Sequence, residues 1–263
     1  MVDAEELRKL AEHIAREAGQ LARRRREEGV RIAATKSSLA DIVTEADREV
    51  ENLIRARLAA ARPGDGFLGE ESGAERGTSG VTWVVDPIDG TVNYAYGIPH
   101  YAVSIAAVTG EPTPEEWTAQ AGVVYTPVVD ELFRAARGGG AWLGERRLTV
   151  SAVGEAGALL ATGFGYDPAT HDVDLARVRA VLPLARDLRR AGAASLDLAY
   201  VAAGRLDGYF ERGLHPWDHA AGGLLVLEAG GVLGGQPGAT PSRTMTIAAG
   251  AELFAALQSA IAR

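Results

Sequence analysis

Cysteine is absent from the 263 residues, and no uninterrupted apolar run approaches the length of a membrane span. The missing thiols exclude disulfides, thiolate catalysis and cysteine-ligated zinc, and they fit a reducing cytoplasm. Basic residues are in the minority, with 27 Lys and Arg against 35 Asp and Glu and a formal net charge of −8. This balance argues against a general nucleic-acid or membrane surface. The charged, helical N-terminus lacks the apolar core of a signal peptide, so we expect a cytoplasmic protein.

Helical and strand-like patterns alternate along the chain, with few long gaps between them. Apolar spacing predicts helices over 3–28, 44–61, 173–182, 194–203, 216–229 and 252–261. Strands are predicted at 67–68, 81–85, 102–108, 119–126, 131–137, 141–143, 158–162, around 188, 208–211 and 245–248. This alternation indicates layered sheets and helices. Because 151–157 is polar and rich in small residues, we place a boundary there, between an N-terminal α+β lobe (1–150) and a C-terminal α/β lobe (151–263) of one catalytic unit.

Carboxylates stand at several predicted breaks in structure. Glu70 and the pair Asp86 and Asp89 follow strands, whereas Asp47 and Asp218 lie in first turns of helices. Taken singly, each is equally consistent with an ordinary cap or turn, because Asp and Glu favour both places. The sequence Thr44-Glu45-Ala46-Asp47 has the form of a capping box at the start of the second helix.

The stretch Trp83 to Tyr94, WVVDPIDGTVNY, raises the same choice between a turn and a site. Asp86 follows an apolar run and Asp218 follows Trp217, so both carboxylates adjoin residues that we expect to be buried. A buried carboxylate needs a hydrogen-bond partner or a cation, and no Lys or Arg lies between Arg76 and Arg134. Magnesium prefers such oxygen ligands, and amides following Gly90 could bind a phosphate if a helix starts there. We therefore interpret this stretch as a site for phosphoryl chemistry.

Five segments in register resemble the inositol monophosphatase family of lithium-sensitive, magnesium-dependent phosphatases, part of a superfamily that includes fructose-1,6-bisphosphatase. They are Asp41 to Asp47, Gly69 to Ser72, Asp86 to Thr91, Gly192 to Ala194, and Glu211 with Trp217 to Gly222. The resemblance covers nearly the whole chain. It implies a five-layered αβαβα sandwich and a homodimer.

The resemblance also implies a ligand set for two or three Mg²⁺ ions. Glu70, Asp86 and the Ile88 carbonyl would hold the first ion. Asp86, Asp89 and Asp218 would hold the second, while a third would share Glu70. A water oriented by Glu70 and Thr91 would attack the phosphorus, with Asp47 hydrogen-bonded to Thr91. Lys36 falls where the family has a loop closing over the metals, and it is equally consistent with a solvated loop lysine.

Substrate contacts are implied in the same way. The amides of Gly90 and Thr91 would hold the phosphate, and Gly192 and Ala193 would let the substrate approach the backbone. The hydroxyls of the leaving alcohol would meet side chains or backbone at Asp89, Ala194, Glu211 and Asp218. Ala193 stands where animal members of the family often have Thr, which puts the hydroxyl preference in doubt and leaves the metal ligands untouched.

Hydrolysis of inositol 1-phosphate by a metal-activated water, without a covalent intermediate, is the leading hypothesis. Fructose 1,6-bisphosphate, histidinol phosphate, NADP and 3′-phosphoadenosine 5′-phosphate are alternative substrates, and the bisphosphates would be favoured by an extra basic patch. Arg189 and Arg190 are the obvious candidates for such a patch. A protein-binding regulatory role is a second hypothesis from another class. We expect a small phosphorylated substrate and no membrane or nucleic-acid partner.

Overall fold

The computed structural model describes residues 2–30, 32–35, 42–165 and 167–262. These form seven α-helices: α1 (Ala4–Glu28), α2 (Glu45–Ala61), α3 (Thr91–Tyr96), α4 (His171–Val181), α5 (Ala194–Ala202), α6 (Pro216–Glu228) and α7 (Ala251–Ile261). Two short 3₁₀ helices cover Pro168–Thr170 and Leu182–Leu184. None of the helices in these ranges is both long and apolar enough to cross a bilayer.

The strands form a two-stranded ribbon and two larger sheets. The strands are β1 (Ile32–Thr35), β2 (Ile42–Thr44), β3 (Gly66–Gly69), β4 (Gly73–Glu75), β5 (Val81–Asp89), β6 (Ala102–Gly110), β7 (Trp117–Thr126), β8 (Glu131–Ala136), β9 (Gly140–Leu143), β10 (Arg146–Arg147), β11 (Ala158–Thr162), β12 (Ala185–Arg189), β13 (Gly208–Glu211), β14 (Val232–Gly234) and β15 (Thr246–Ala249). The predicted helices and strands are present with small shifts in their ends, whereas the short strands β1, β2, β4, β10 and β14 were missed.

The first large sheet has eight strands in the order β10-β9-β8-β7-β6-β5-β3-β4. Its pairs are antiparallel except for β3 and β5. Successive side chains of a strand point to opposite faces. Accordingly, Trp83 and Val85 join the core under α1 and α2, while Val84 joins the core against α5 and α6.

The second sheet has five strands in the order β12-β11-β13-β15-β14. Its inner face belongs to the core that contains α5 and α6, and its outer face packs against α4 and α7. The layers are therefore α1/α2, the first sheet, α5/α6, the second sheet and α4/α7. This arrangement confirms the predicted layered α/β fold.

Helices α5 and α6 are buried along most of their length because sheets cover them on both sides. Such all-round burial explains why their sequences are apolar rather than amphipathic. The predicted lobe boundary falls between β10 and β11, where one sheet ends and the other begins. Since α5 and α6 contact both sheets, the division into lobes stays a prediction.

The end of β5 corrects one expectation from the sequence. The strand was predicted to stop at Val85, but it continues to Asp89. Asp86 and Ile88 are buried there, at 2% and 0% exposure. The cause is β6, whose pairing with β5 extends past the apolar run and includes Asp86↔Ser104 and Asp89↔Ala102.

Candidate functional site

The Asp86–Asp89 segment carries an irregularity in the pairing of β5 with β6. A bulge of this kind re-aims side chains at the end of a strand. The Asp86 carboxylate accepts a hydrogen bond from the Ile88 amide at 3.1 Å, which fixes the first turn of the segment. Gly90 follows with φ of 90°, and a Cβ there would lie 3.0 Å from the His100 carbonyl. Only glycine meets both requirements, and α3 begins at the next residue.

Asp89 joins β5 to the N-terminus of α5. Its carboxylate accepts hydrogen bonds from the Ala194 amide at 3.2 Å, the Ser195 amide at 2.7 Å and the Ser195 hydroxyl at 2.5 Å. Ala193, the N-cap residue of α5, makes no side-chain cap of its own. Asp89 therefore supplies, from a distant strand, the carboxylate that a helix N-terminus favours.

Glu70 and Asp218 reach the same region from two other elements. Asp218 lies in the first turn of α6, and its carboxylate accepts the His215 amide at 2.7 Å. Glu70 follows β3, and its amide donates to the Val85 carbonyl of β5 at 3.2 Å. The loop is also held from α2, because the buried Glu51 carboxylate accepts the Glu71 amide at 2.8 Å. Backbone pairing thus brings the carboxylates together.

The electrostatics of these carboxylates are unfavourable in the protein alone. Burial raises the pKa of Asp86 well above its usual range, and Glu70, Asp89 and Asp218 raise it further. Burial also raises the pKa of Asp89 to about 6, although the hydrogen bonds from Ser195 act to lower it. In the same way, burial raises the pKa of Asp218 well above its usual value. Within the described part of the chain, no Lys, Arg or His nitrogen lies within ion-pair distance of Asp86, Asp89 or Asp218. Buried carboxylates in this state need cations.

The donor set fits a hard divalent ion, since it consists of carboxylates with a backbone carbonyl beside them. Among the described residues, no three His, Asp or Glu side chains are already close enough together to hold an ion. Binding one would therefore require these carboxylates to move closer together.

The Thr91 hydroxyl lies between two predicted partners. It stands 3.3 Å from a carboxylate oxygen of Asp47 and 3.0 Å from the Ile88 carbonyl, and its one proton serves a single acceptor at a time. Asp47 is at the same time the third residue of the α2 capping box with Thr44. The predicted contact between Asp47 and Thr91 is therefore within reach, and the Ile88 carbonyl is the nearer acceptor for the same hydroxyl.

Glu211, for which the resemblance implies a substrate contact, lies at the end of β13. Burial raises the pKa of Glu211 to about 7, and the buried Tyr209 hydroxyl donates to it at 2.5 Å. The carboxylate lies against the Gly163 backbone, where a Cβ would come within 2.1 Å of it. The side chain is thus fixed between a tyrosine and a glycine.

These groups face one cavity of about 600 Å³, a size suited to a small ligand. The predicted residues that line it are Glu70, Asp86, Ile88, Asp89, Gly90, Thr91, Gly192, Ala193, Ala194, Glu211 and Asp218. Asp47 is not in the lining and acts on it through Thr91. Lys36 lies outside the described residues.

Several lining residues were not predicted as substrate contacts. They are Gly163, Phe164, Gly165, Asp167, Thr170, Arg212, Gly213, Leu214, His215, Trp217 and Arg243. Arg190, a candidate for the basic patch, also lines the cavity, whereas Arg189 does not. Trp217 was expected to be buried, yet it is half-exposed because the cavity opens beside it. His215 also lies in the wall of the cavity. Arg243 comes from the loop between β14 and β15, and no sequence pattern marked it.

If the cavity binds a polyhydroxy phosphate ester, as the resemblance implies, Gly163→Ala is expected to raise its KM by roughly tenfold or more, because the new Cβ displaces Glu211 from the hydroxyls whose hydrogen bonds it would accept. The kcat/KM of a phosphate ester without hydroxyls, such as phenyl phosphate, should change much less. Steady-state kinetics on both esters tests the prediction. Equal losses on the two would indicate a general disturbance of the cavity rather than the loss of one contact.

Comparisons with known proteins agree with this geometry. Residues 3–262 match the model of the inositol monophosphatase family. The protein named inositol-1-monophosphatase SuhB of Mycobacterium tuberculosis is 44% identical over 276 residues, covering 96% of this chain and 93% of the relative. The Nus factor SuhB of Haemophilus influenzae is 42% identical over 227 residues, covering 85% and 83%. The crystal structure of extragenic suppressor protein SuhB from Bartonella henselae superposes with a TM-score of 0.90 at 38% identity, covering 97% and 98%.

Proposed function

Because the chain belongs to the inositol monophosphatase family, we propose that it is a Mg²⁺-dependent phosphatase of small phosphate monoesters, with inositol 1-phosphate as the leading substrate. One observation carries the proposal. The buried carboxylates Asp86 and Asp89 and the half-buried Asp218 meet at one cavity with Glu70, and none of these three aspartates has a basic partner among the described residues.

Glu70, Asp86, Asp89, Asp218 and the Ile88 carbonyl would hold two or three Mg²⁺ ions. Bound there, the ions would supply charge stabilisation for the attacking and leaving oxygens of an in-line displacement. Thr91 and Glu70 would orient the attacking water, and Asp47 would orient the Thr91 hydroxyl. The Gly90 and Thr91 amides would hold the phosphate.

The leaving alcohol would be recognised on the opposite side of the cavity. When ionised, Glu211 accepts hydrogen bonds from hydroxyl groups. The remaining contacts would come from Asp89, Asp218 and the backbone at Gly192, Ala193 and Ala194. Fructose 1,6-bisphosphate, histidinol phosphate, NADP and 3′-phosphoadenosine 5′-phosphate are the alternative substrates.

Release of phosphate from a panel of these esters tests the proposal. With Mg²⁺ present, we expect inositol 1-phosphate to have the highest kcat/KM, and lithium to inhibit by competing for a Mg²⁺ position. Release that requires no divalent cation would contradict the metal assignment. An absence of release from every ester would refute the phosphatase function itself.

Magnesium is expected to stabilise the protein against heat. Binding to the folded state at about 100 times Kd contributes about 2.7 kcal/mol, or roughly 5–10 °C in Tm for a chain of this size. Thermal unfolding with Mg²⁺, compared with NaCl of equal ionic strength, measures the effect. A Tm that responds equally to the two salts would show general screening instead of ion binding.

A protein-binding role is a second candidate, favoured by the relative named Nus factor SuhB in Haemophilus influenzae. Retention of transcription proteins by both native chain and Asp86→Asn would show binding that is independent of turnover. We also propose a homodimer, which sedimentation equilibrium would distinguish from a monomer.

A further inference from the structure

Three arginines line the cavity in the described part of the chain, and one of them is already neutralised. Arg212 donates to both carboxylate oxygens of Asp174, at 2.9 and 3.3 Å. Arg190 and Arg243 differ from it, since no carboxylate among the described residues lies within ion-pair distance of either. Two guanidinium groups at the cavity therefore have charge available for a ligand.

Arg190 lies beside residues that we assign to substrate binding. Its guanidinium covers Gly192, where a Cβ would come within 2.6 Å of Nη1. Its positive charge also lowers the pKa of Glu211, against the effect of burial. Arg190 is therefore near Glu211 without forming an ion pair to it, and its side chain is exposed.

Arg243 is held on the wall by two contacts. Its carbonyl accepts the Gly213 amide at 2.8 Å, which ties the β14–β15 loop to the cavity. Its Nη1 lies 3.0 Å from Nε2 of His215, whose ring stacks on Trp217 with centroids 4.7 Å apart. A neutral imidazole accepts only one of the five guanidinium protons, so the group retains both its charge and free donors.

We propose that Arg190 and Arg243 bind a second anionic group on the leaving alcohol, an inference that rests on the proposed phosphatase function. The phosphate that is hydrolysed belongs near Gly90, Thr91 and the cations, and the hydroxyls belong near Glu211. Inositol 1-phosphate offers hydroxyls but no second anion to match the two positive charges. A substrate with a second phosphate or a carboxylate would, because guanidinium donors match both anions.

Three esters that differ only at carbon 6 of one sugar test this assignment. They are glucose 1-phosphate, glucose 1,6-bisphosphate and glucuronic acid 1-phosphate, which present a hydroxyl, a phosphate and a carboxylate. Release of the 1-phosphate with Mg²⁺ gives kcat/KM, and calorimetry with Ca²⁺ in place of Mg²⁺ gives Kd without relying on turnover. We expect the native protein to bind the bisphosphate about tenfold more tightly than the monophosphate, since a hydrogen bond between charged groups has about this effect. Preference for the carboxylate over the bisphosphate would identify the anion as a carboxylate.

Arg190→Gln and Arg243→Gln should each remove most of the preference for the second anion and change the glucose 1-phosphate values less than twofold. Arg189→Gln is the matched control, because this neighbouring arginine is exposed and paired with Asp187. It should leave kcat/KM and Kd unchanged for all three esters. Equal Kd for the three esters in the native protein would overturn the inference, as would Gln variants that weaken all three alike. The latter result would show that the arginines only balance the charge of Glu211. Failure of the phosphatase function is separate: no ester, including inositol 1-phosphate, would then release phosphate.

Discussion

Asp86→Asn is expected to lower kcat/KM by at least about 10³-fold with Mg²⁺ while making the metal-free protein harder to unfold. The loss follows from the proposed bridging role, because removing even one preorganised charge-stabilising group from an active site costs about 10²–10³-fold. Asparagine keeps the size of the side chain, and its carbonyl oxygen can still accept the Ile88 amide. The fold should therefore persist.

The variant should gain stability although it loses activity, because Asp86 in the native, metal-free protein is a buried charge without a cation. Burial and the carboxylates of Glu70, Asp89 and Asp218 raise its pKa in the folded state. The folded protein therefore holds the Asp86 proton more tightly than the unfolded chain, and native stability falls as pH rises through the folded pKa. A neutral amide removes this penalty, so the variant should be harder to unfold than the native protein at pH 8. The difference between native and variant should shrink as pH falls and Asp86 takes up its proton.

Urea unfolding in EDTA at pH 8 and pH 5 measures this effect, with Asp187→Asn as the control. Asp187 is exposed on β12 and paired with Arg189, so its loss should have little effect at either pH. An active Asp86→Asn protein would refute the assignment of Asp86 as a ligand. An inactive but less stable variant would contradict the electrostatic account and leave the ligand assignment in place.

Local patterns were sufficient for the elements that the sequence predicted well. The 3.6-residue spacing in α1 and the Thr44–Asp47 capping box of α2 depend on residues within a few positions of each other. Their bounds were found nearly to the residue. The order of the five layers came from the resemblance to a family, because periodicity in one strand says nothing about its neighbours in the sheet.

The site shows where local reasoning ends. The burial of Ile88 depends on β6, and the half-exposure of Trp217 depends on the cavity beside α6. Arg243 lies on a loop with no motif, and this loop is held at the cavity by a hydrogen bond from the Gly213 amide to the Arg243 backbone carbonyl. Each of these is a contact between parts of the chain that are distant in sequence. A single sequence records such contacts only where a known motif marks them.

Asp89 illustrates the same limit, since the sequence predicted a metal ligand and gave no sign of a helix cap. The α5 N-terminus lacks a side-chain cap at Ala193, and the Asp89 carboxylate accepts the amides of Ala194 and Ser195 in its place. Asp89 therefore supplies acceptors for two amides of this first turn, although Ala193 offers no side-chain cap.

Asp89→Asn is accordingly expected to abolish activity as Asp86→Asn does, but to destabilise the metal-free protein by about 1–3 kcal/mol. Whichever way its amide turns, the NH₂ group of asparagine faces a donor. Pointing the carbonyl oxygen at Ser195 keeps two hydrogen bonds and sets NH₂ against the Ala194 amide, which is 3.2 Å from the native oxygen. The negative charge at the α5 N-terminus is lost in either orientation.

Urea unfolding of the two variants side by side in EDTA decides between the two physical accounts. The same chemical change should raise the unfolding midpoint at position 86 and lower it at position 89, because only Asp89 is surrounded by donors. Ser195→Ala removes one donor from Asp89 without altering a carboxylate, so it should destabilise the protein while leaving the ligand charge in place. If both Asn variants are stabilised alike, the repulsion among the carboxylates outweighs the cap, and the role of Asp89 at α5 is refuted.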